Sequence, residues 1–185
     1  MEMPSSNILL ISCVCMRIRE LMPDSVLDIG IGFGKYGFLA REYLDIYEFR
    51  YQRNEWRIRI DGIEIFSKYI DELQRLIYDN IYIGDALDGL KRLGNYDLIL
   101  LIDVIEHLEK ERAKQLLKLV GEKSKTALVA TPIRVKSIGA QFMKYGNKYE
   151  MHVSNWRREE LEQFGDVTAV APHLKGTHLL EIKSG

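Results

Sequence analysis

The chain has 185 residues, 46% of them hydrophobic and 29% charged, with a net charge of −1. That length suits one domain able to bury a core without staples, and the composition excludes disordered and fibrous classes. A charge so near neutral gives no global field to gather nucleic acid or an anionic membrane, so neither is expected as a partner.

In chain order, the apolar run at residues 8–16 holds both cysteines, Cys13 and Cys15. It is too short to span a bilayer, follows Glu2 rather than a basic cluster, and runs straight into Arg17-Ile18-Arg19-Glu20. It therefore reads as a helix packed on the domain edge, not as a leader or membrane segment. Cysteines two apart match no disulfide framework or metal spacing, which suits a reduced, cytoplasmic setting.

Ser5 or Ser6 caps that helix, which runs to about residue 22 and is ended by Pro23-Asp24. Residues 25–29 are a short apolar strand leading into a glycine loop, and 35–45 a helix. A polar, aromatic stretch at 46–57 connects to a strand at 58–65; 68–78 is helical and 81–83 is strand. Residues 96–102 form a nearly continuous apolar strand, the kind buried on both faces.

The pattern of Ile105, Leu108, Leu116, Leu117 and Val120 predicts a helix over 104–120, with Glu106 and Lys110 spaced to pair along it. Residues 126–130 are a fifth strand. After a loop rich in Gly and Lys, Ser154 caps a helix at 156–164, and strands at 167–170 and 179–182 follow.

Alternating strands and helices predict an α/β, doubly wound fold with a seven-stranded, mostly parallel sheet. The last strand is expected to be antiparallel, because only a short turn around Pro172 to Gly176 joins it. Residues 1–22 form an N-terminal helix on a single domain whose core spans 25–183. Ligands on such a sheet lie at the carboxyl ends of the strands, near the topological switch.

The glycine loop Asp28-Ile29-Gly30-Ile31-Gly32-Phe33-Gly34 follows a strand and opens a helix. Its glycines allow a sharp turn and close approach of a ligand to backbone, and the helix N-terminus beyond offers free N–H groups. Gly32-Phe-Gly34-Lys-Tyr-Gly37 also matches the dinucleotide fingerprint letter for letter. That alternative, a nicotinamide-dependent oxidoreductase, needs its first glycine straight off the strand, whereas Asp28 and Gly30 come first.

Downstream order decides between the two. The second strand ends at Glu64, where a carboxylate can accept from ribose hydroxyls; the third ends at Gly84-Asp85-Ala86; the fourth ends at Asp103-Val-Ile-Glu-His107. Four acidic strand ends along one rim suit a ligand with a sulfonium, an amine, a ribose and an adenine better than a polyphosphate.

These motifs together, with Tyr-Asp-Leu-Ile-Leu-Leu-Ile-Asp-Val-Ile-Glu-His at 96–107, resemble the class I S-adenosylmethionine-dependent methyltransferases over residues 25–183. The resemblance implies that Gly30, Gly32 and Gly34 underlie the donor's methionine portion and that Asp28 stands beside them. It implies that Glu64 with Ile65 holds the ribose, that Asp85 and Ala86 flank the adenine, and that Asp103 lies beside the transferring methyl. The Asp-Val-Ile-Glu-His form is similar to small-molecule methyltransferases and departs from the Asn-Pro-Pro-Tyr type of amino-methylating nucleic-acid enzymes. A small polar acceptor, methylated at oxygen or nitrogen, is the leading expectation. A protein or RNA acceptor, recruited through the stretch that holds Arg50, Arg53 and Arg57, is the second, and a non-catalytic subunit that binds the donor and activates a partner is the third.

The loop after the fifth strand supplies Gln141, Asn147, Glu150, His152 and Trp156, a polar set fit to bind the acceptor. A neutral imidazole at His152 can take a proton from an attacking hydroxyl or amine; alternatively, Glu150 and His152 brace the next helix and Trp156 is core. His107, one turn past Asp103, either touches the acceptor or packs the helix against the sheet. His173 and His178 flank the terminal hairpin without an assigned role. No spacing of three or four ligands predicts a metal site.

Overall fold

The computed structural model describes residues 5–133, 147–173 and 176–184. Seven strands form one sheet in the order β3-β2-β1-β4-β5-β7-β6: β1 (Ser25–Ile29), β2 (Arg59–Glu64), β3 (Asn80–Ile83), β4 (Tyr96–Ile102), β5 (Ser124–Pro132), β6 (Asp166–Val170) and β7 (Thr177–Lys183). All neighbours pair in parallel except β7, which runs antiparallel to both β5 and β6. The helices are α1 (Ile11–Leu21), α2 (Lys35–Leu44), α3 (Glu72–Ile77), α4 (Ala86–Arg92), α5 (Lys110–Lys123) and α6 (Arg158–Leu161).

Strand alternation explains why the sheet is covered twice. In β1, Val26 joins a core with Val14 and Ile18 of α1 and Ala40 and Leu44 of α2, whereas Leu27 and Ile29 join a second core with Leu116, Leu117 and Val120 of α5 and with Trp156. Successive side chains point to opposite faces, so one strand feeds both cores. The chain leaves β1 for β2 on one side and returns to β4 on the other, which makes the β1–β4 boundary the topological switch.

Four local features differ from the pattern in the sequence. The N-terminal helix begins later: Asn7 Oδ1 accepts from Leu9 N at 3.1 Å to cap a 3-10 turn, and α1 starts at Ile11. A short helix, α4, follows Asp85, whose side chain caps it by accepting from the N–H groups of Leu87 and Asp88; Gly84 and Gly89 disguise it as a loop.

The helix read over 104–120 is split into a 3-10 turn at Ile105–His107 and α5 from Lys110. The cause is tertiary: the Glu106 carbonyl accepts from Val153 N at 2.8 Å and Ser154 N at 3.0 Å. Glu106 therefore does not pair with Lys110, which binds Glu160 instead.

Ser154 likewise does not cap a helix at 156–164; its hydroxyl donates to the Ile105 carbonyl at 3.2 Å, and α6 begins at Arg158. Trp156 is 2% exposed, with Nε1 donating to Ser154 Oγ at 3.1 Å. It is a core residue, not part of a substrate surface.

The stretch at 46–57 is an ordered brace. Asp45 is fully buried and binds Arg41 at 2.6 Å and Arg50 at 2.7 Å, while the Arg41 guanidinium lies 4.1 Å over the Trp56 ring. Arg53 donates to the Tyr78 carbonyl at 3.3 Å. Arg50 thus braces Asp45, whereas Arg53 and Arg57 remain exposed. Among the described residues, no helix is long and apolar enough to cross a membrane.

Candidate functional site

A cavity of about 1180 Å³ opens at the carboxyl ends of β1, β2, β3 and β4. The loops after these four parallel strands meet there, so the acidic strand ends share it: Asp28, Glu64, Asp85 and Asp103 all line its wall.

The floor is the glycine loop. Gly30, Gly32 and Gly34 have φ of 78°, 51° and 92°. At Gly30 a Cβ would meet a Val104 methyl at 2.5 Å, so a side chain is excluded by packing. At Gly32 a Cβ would find nothing within 4 Å, so only the ligand space bounds that position. Gly30 and Gly32 line the cavity; Gly34 is not among the lining residues and instead caps α2.

Glu64 is held by backbone: Oε2 accepts from Gly32 N at 2.9 Å and Oε1 from Phe66 N at 2.8 Å. Burial pushes its carboxyl up, and those N–H groups oppose the push. A carboxylate has about four lone-pair sites, so capacity remains for a hydroxyl donor. Asp85 accepts from Arg112 at 2.7 Å besides capping α4. Ile65 and Ala86 line the cavity between these two acids.

Asp28 is 3% exposed and accepts from the Tyr78 hydroxyl at 2.6 Å. Burial pushes it up to about 6, against the Tyr78 bond, with the Glu64 charge adding to the rise. The far wall carries Asp103, whose φ of 54° is left-handed. Its Oδ2 accepts from Asn7 N at 3.0 Å, while the buried Oδ1 has no hydrogen-bond partner among the described residues. Burial raises its carboxyl; the Asn7 N–H and the Lys35 charge counter this.

The N-terminal segment is part of the wall, which the sequence reading missed. Lys35 Nζ donates to the Ser6 carbonyl at 2.8 Å and hydroxyl at 2.9 Å, tying residues 5–7 to α2 and over the site. Tyr69 is the second residue missed: its hydroxyl donates to Glu150 Oε1 at 3.0 Å and accepts from Asn147 Nδ2 at 3.1 Å. Glu150 lines the cavity, whereas Asn147 is 2% exposed and braces Tyr69 from behind. Gln141 lies outside the described residues. His173, given no role above, also lines the cavity.

His107 and His152 meet edge to face, ring centroids 4.7 Å apart, both lining the cavity. His107 Nδ1 bonds the Met151 carbonyl at 3.1 Å. Burial and the neighbouring His152 hold His107 down to about 4, and burial lowers His152 as well. Beside them Glu106 is fully buried; Oε2 accepts from Thr131 at 3.0 Å and Oε1 has no hydrogen-bond partner among the described residues. Burial and the Asp103 charge push Glu106 well above the usual carboxylate range. Contrary to the expectation from spacing, Glu106, His107 and His152 converge, with one ligand atom from each within 4.8 Å of the others. Both α5 and β5 lie between His107 and His152 in the chain, so no local motif announces the cluster.

No protein-family profile and no curated protein matches this sequence. Solved structures do match its fold. A SAM-dependent methyltransferase from Archaeoglobus fulgidus is similar at 24% identity and TM-score 0.58, over 86% of this chain and 71% of that one. The methyltransferase domain of bacterial CtHen1-CN is similar at 18% and 0.60, over 95% and 97%. Magnesium protoporphyrin IX methyltransferase from Synechocystis PCC 6803, solved with bound SAH, is similar at 14% and 0.60, over 94% and 82%. The chain has the class I methyltransferase fold: a seven-stranded sheet with β7 reversed and flanking helices on both faces.

Proposed function

We propose that this protein is an S-adenosylmethionine-dependent methyltransferase acting on oxygen or nitrogen of a small polar acceptor. The observation that carries the reading is the single cavity in which bare glycine backbone and four carboxylates face the same space. The residues fit the donor: open backbone at Gly32 underlies the methionine portion, Glu64 with Ile65 takes the ribose, and Asp85 with Ala86 flanks the adenine. The donor supplies a methyl group on a cationic sulfur that departs as a neutral thioether.

At about 1180 Å³ the cavity exceeds the usual range of about 300–1,000 Å³ for one small ligand, which favours a donor and an acceptor bound together. Asp103 and the His107–His152 pair bound the acceptor side. There the protein's chief contribution is to align the acceptor atom with the methyl carbon and exclude water. His152, kept neutral, is the group placed to receive the acceptor's proton.

Incubation with methyl-labelled donor and a fractionated extract of the source organism tests this reading. Label should appear in a low-mass fraction; label in protein or RNA alone would reject a small acceptor, and transfer to nothing would favour a donor-binding subunit.

A further inference from the structure

Glu106, His107 and His152 are two imidazoles and a carboxylate brought together by tertiary bonds. The Val153 and Ser154 N–H groups clamp the Glu106 carbonyl, so the segment bearing His152 is fixed against the turn bearing the other two. Glu106 is 0% exposed, and its buried Oε1 has no hydrogen-bond partner among the described residues. A buried acid oxygen left unmatched is costly unless something pairs with it. With His107 Nδ1 donating to the Met151 carbonyl, the ring's Nε2 carries a free lone pair, the arrangement typical of metal-binding histidines.

We propose that Glu106, His107 and His152 bind one divalent first-row transition cation, leaving at least one coordination position open toward the cavity. Two imidazoles and one carboxylate form a ligand set that suits zinc or manganese rather than calcium. Ligands about 2.1 Å from a tetrahedral ion stand about 3.4 Å apart, so closing the 4.8 Å cluster takes about 1 Å of side-chain movement.

The ion's role rests on the methyl-transfer reading; the site itself does not. An acceptor hydroxyl at the open position releases its proton to water more readily. Its oxygen then bonds the methyl carbon while the carbon–sulfur bond breaks, the electron pair leaving with sulfur. The acceptor is accordingly an alcohol rather than an amine, and His152 serves the ion in place of acting as a free base.

The test uses chelator-stripped full-length protein titrated with Mn²⁺, followed by loss of the free-ion electron paramagnetic resonance signal, and with Zn²⁺ by calorimetry. S-adenosylhomocysteine affinity is measured on every sample. One ion per chain is expected in the wild type. Affinity should be weakened at least about 100-fold in His152→Ala and Glu106→Gln, and S-adenosylhomocysteine binding should be unchanged in both. His173→Ala, at the same cavity, should bind the ion like the wild type. Absence of Mn²⁺ and Zn²⁺ binding to the wild type, or binding indifferent to both substitutions, would overturn the site. Ion binding without S-adenosylhomocysteine binding would leave the site standing and overturn the methyl-transfer reading instead.

Discussion

The Tyr78 hydroxyl reaches the Asp28 carboxylate at 2.6 Å, and to do so its ring passes over Gly37, where a Cβ would lie 2.2 Å from the ring. The last glycine of the fingerprint-like Gly32-x-Gly34-x-x-Gly37 is thus a packing position under a tyrosine. That accounts for the letter match without a dinucleotide.

The first prediction follows from that contact. Gly37→Ala must displace a fully buried ring, and overpacking of this kind costs about 1–3 kcal/mol. Urea unfolding should show that loss, and S-adenosylhomocysteine affinity should fall as Asp28 loses its partner. Tyr78→Phe should cost a similar amount by leaving the Asp28 oxygen unmatched.

Stability should depend on pH through Asp28. Its carboxyl is pushed up to about 6 from an ordinary 3.8 by burial. Between about pH 4 and about pH 6 the unfolded chain has released this proton while the folded chain keeps it, so folding stability falls as pH rises through the window. The difference integrates to about 3 kcal/mol. Unfolding across this range, wild type against Asp28→Asn, should show a shallower decline in the variant; equal slopes would contradict the account.

Arg41→Ala should be among the most damaging substitutions away from the cavity. It removes one of the two guanidinium groups that bind the fully buried Asp45, Arg50 remaining at 2.7 Å, and also the donor to the Ile58 and Ile77 carbonyls; a hydrogen bond to a charged group contributes about 1.5–3 kcal/mol. A drop in the urea midpoint together with retained donor binding at low temperature would mark the effect as structural.

Substitution of His152 should separate donor binding from chemistry. His152→Ala should lower turnover by about 10²–10⁴-fold with S-adenosylhomocysteine affinity intact. Chelator treatment of the wild type then distinguishes the two roles: a free base is indifferent to it, whereas an ion ligand is not. Unchanged turnover in the variant would remove His152 from the mechanism.

What the sequence disclosed and what it hid divide along a physical line. β1, β4 and β5 are legible because their centres, buried on both faces, are apolar, and acidic residues close the first two runs at Asp28 and Asp103. The turn at Ile105–His107 is illegible because its apolar spacing still looks helical; what breaks the helix is a pair of N–H groups from Val153 and Ser154, far along the chain. Trp156 was ambiguous for a related reason, since an indole flanked by polar residues can face a ligand or a core, and only the packing against Ile105 and Ser154 decides it. Asn7 and Tyr69 reach the site by long-range hydrogen bonds that no periodicity reports.

The most direct measurement of the central claim is a calorimetric titration of the purified protein with S-adenosylmethionine, S-adenosylhomocysteine and NAD. The expected result is one site per chain for the first two and no heat from NAD, with binding lost in Gly32→Arg, whose side chain enters space that holds nothing within 4 Å of its Cβ. Binding of NAD with silence from both sulfur nucleosides, or full affinity retained by Gly32→Arg, would contradict it.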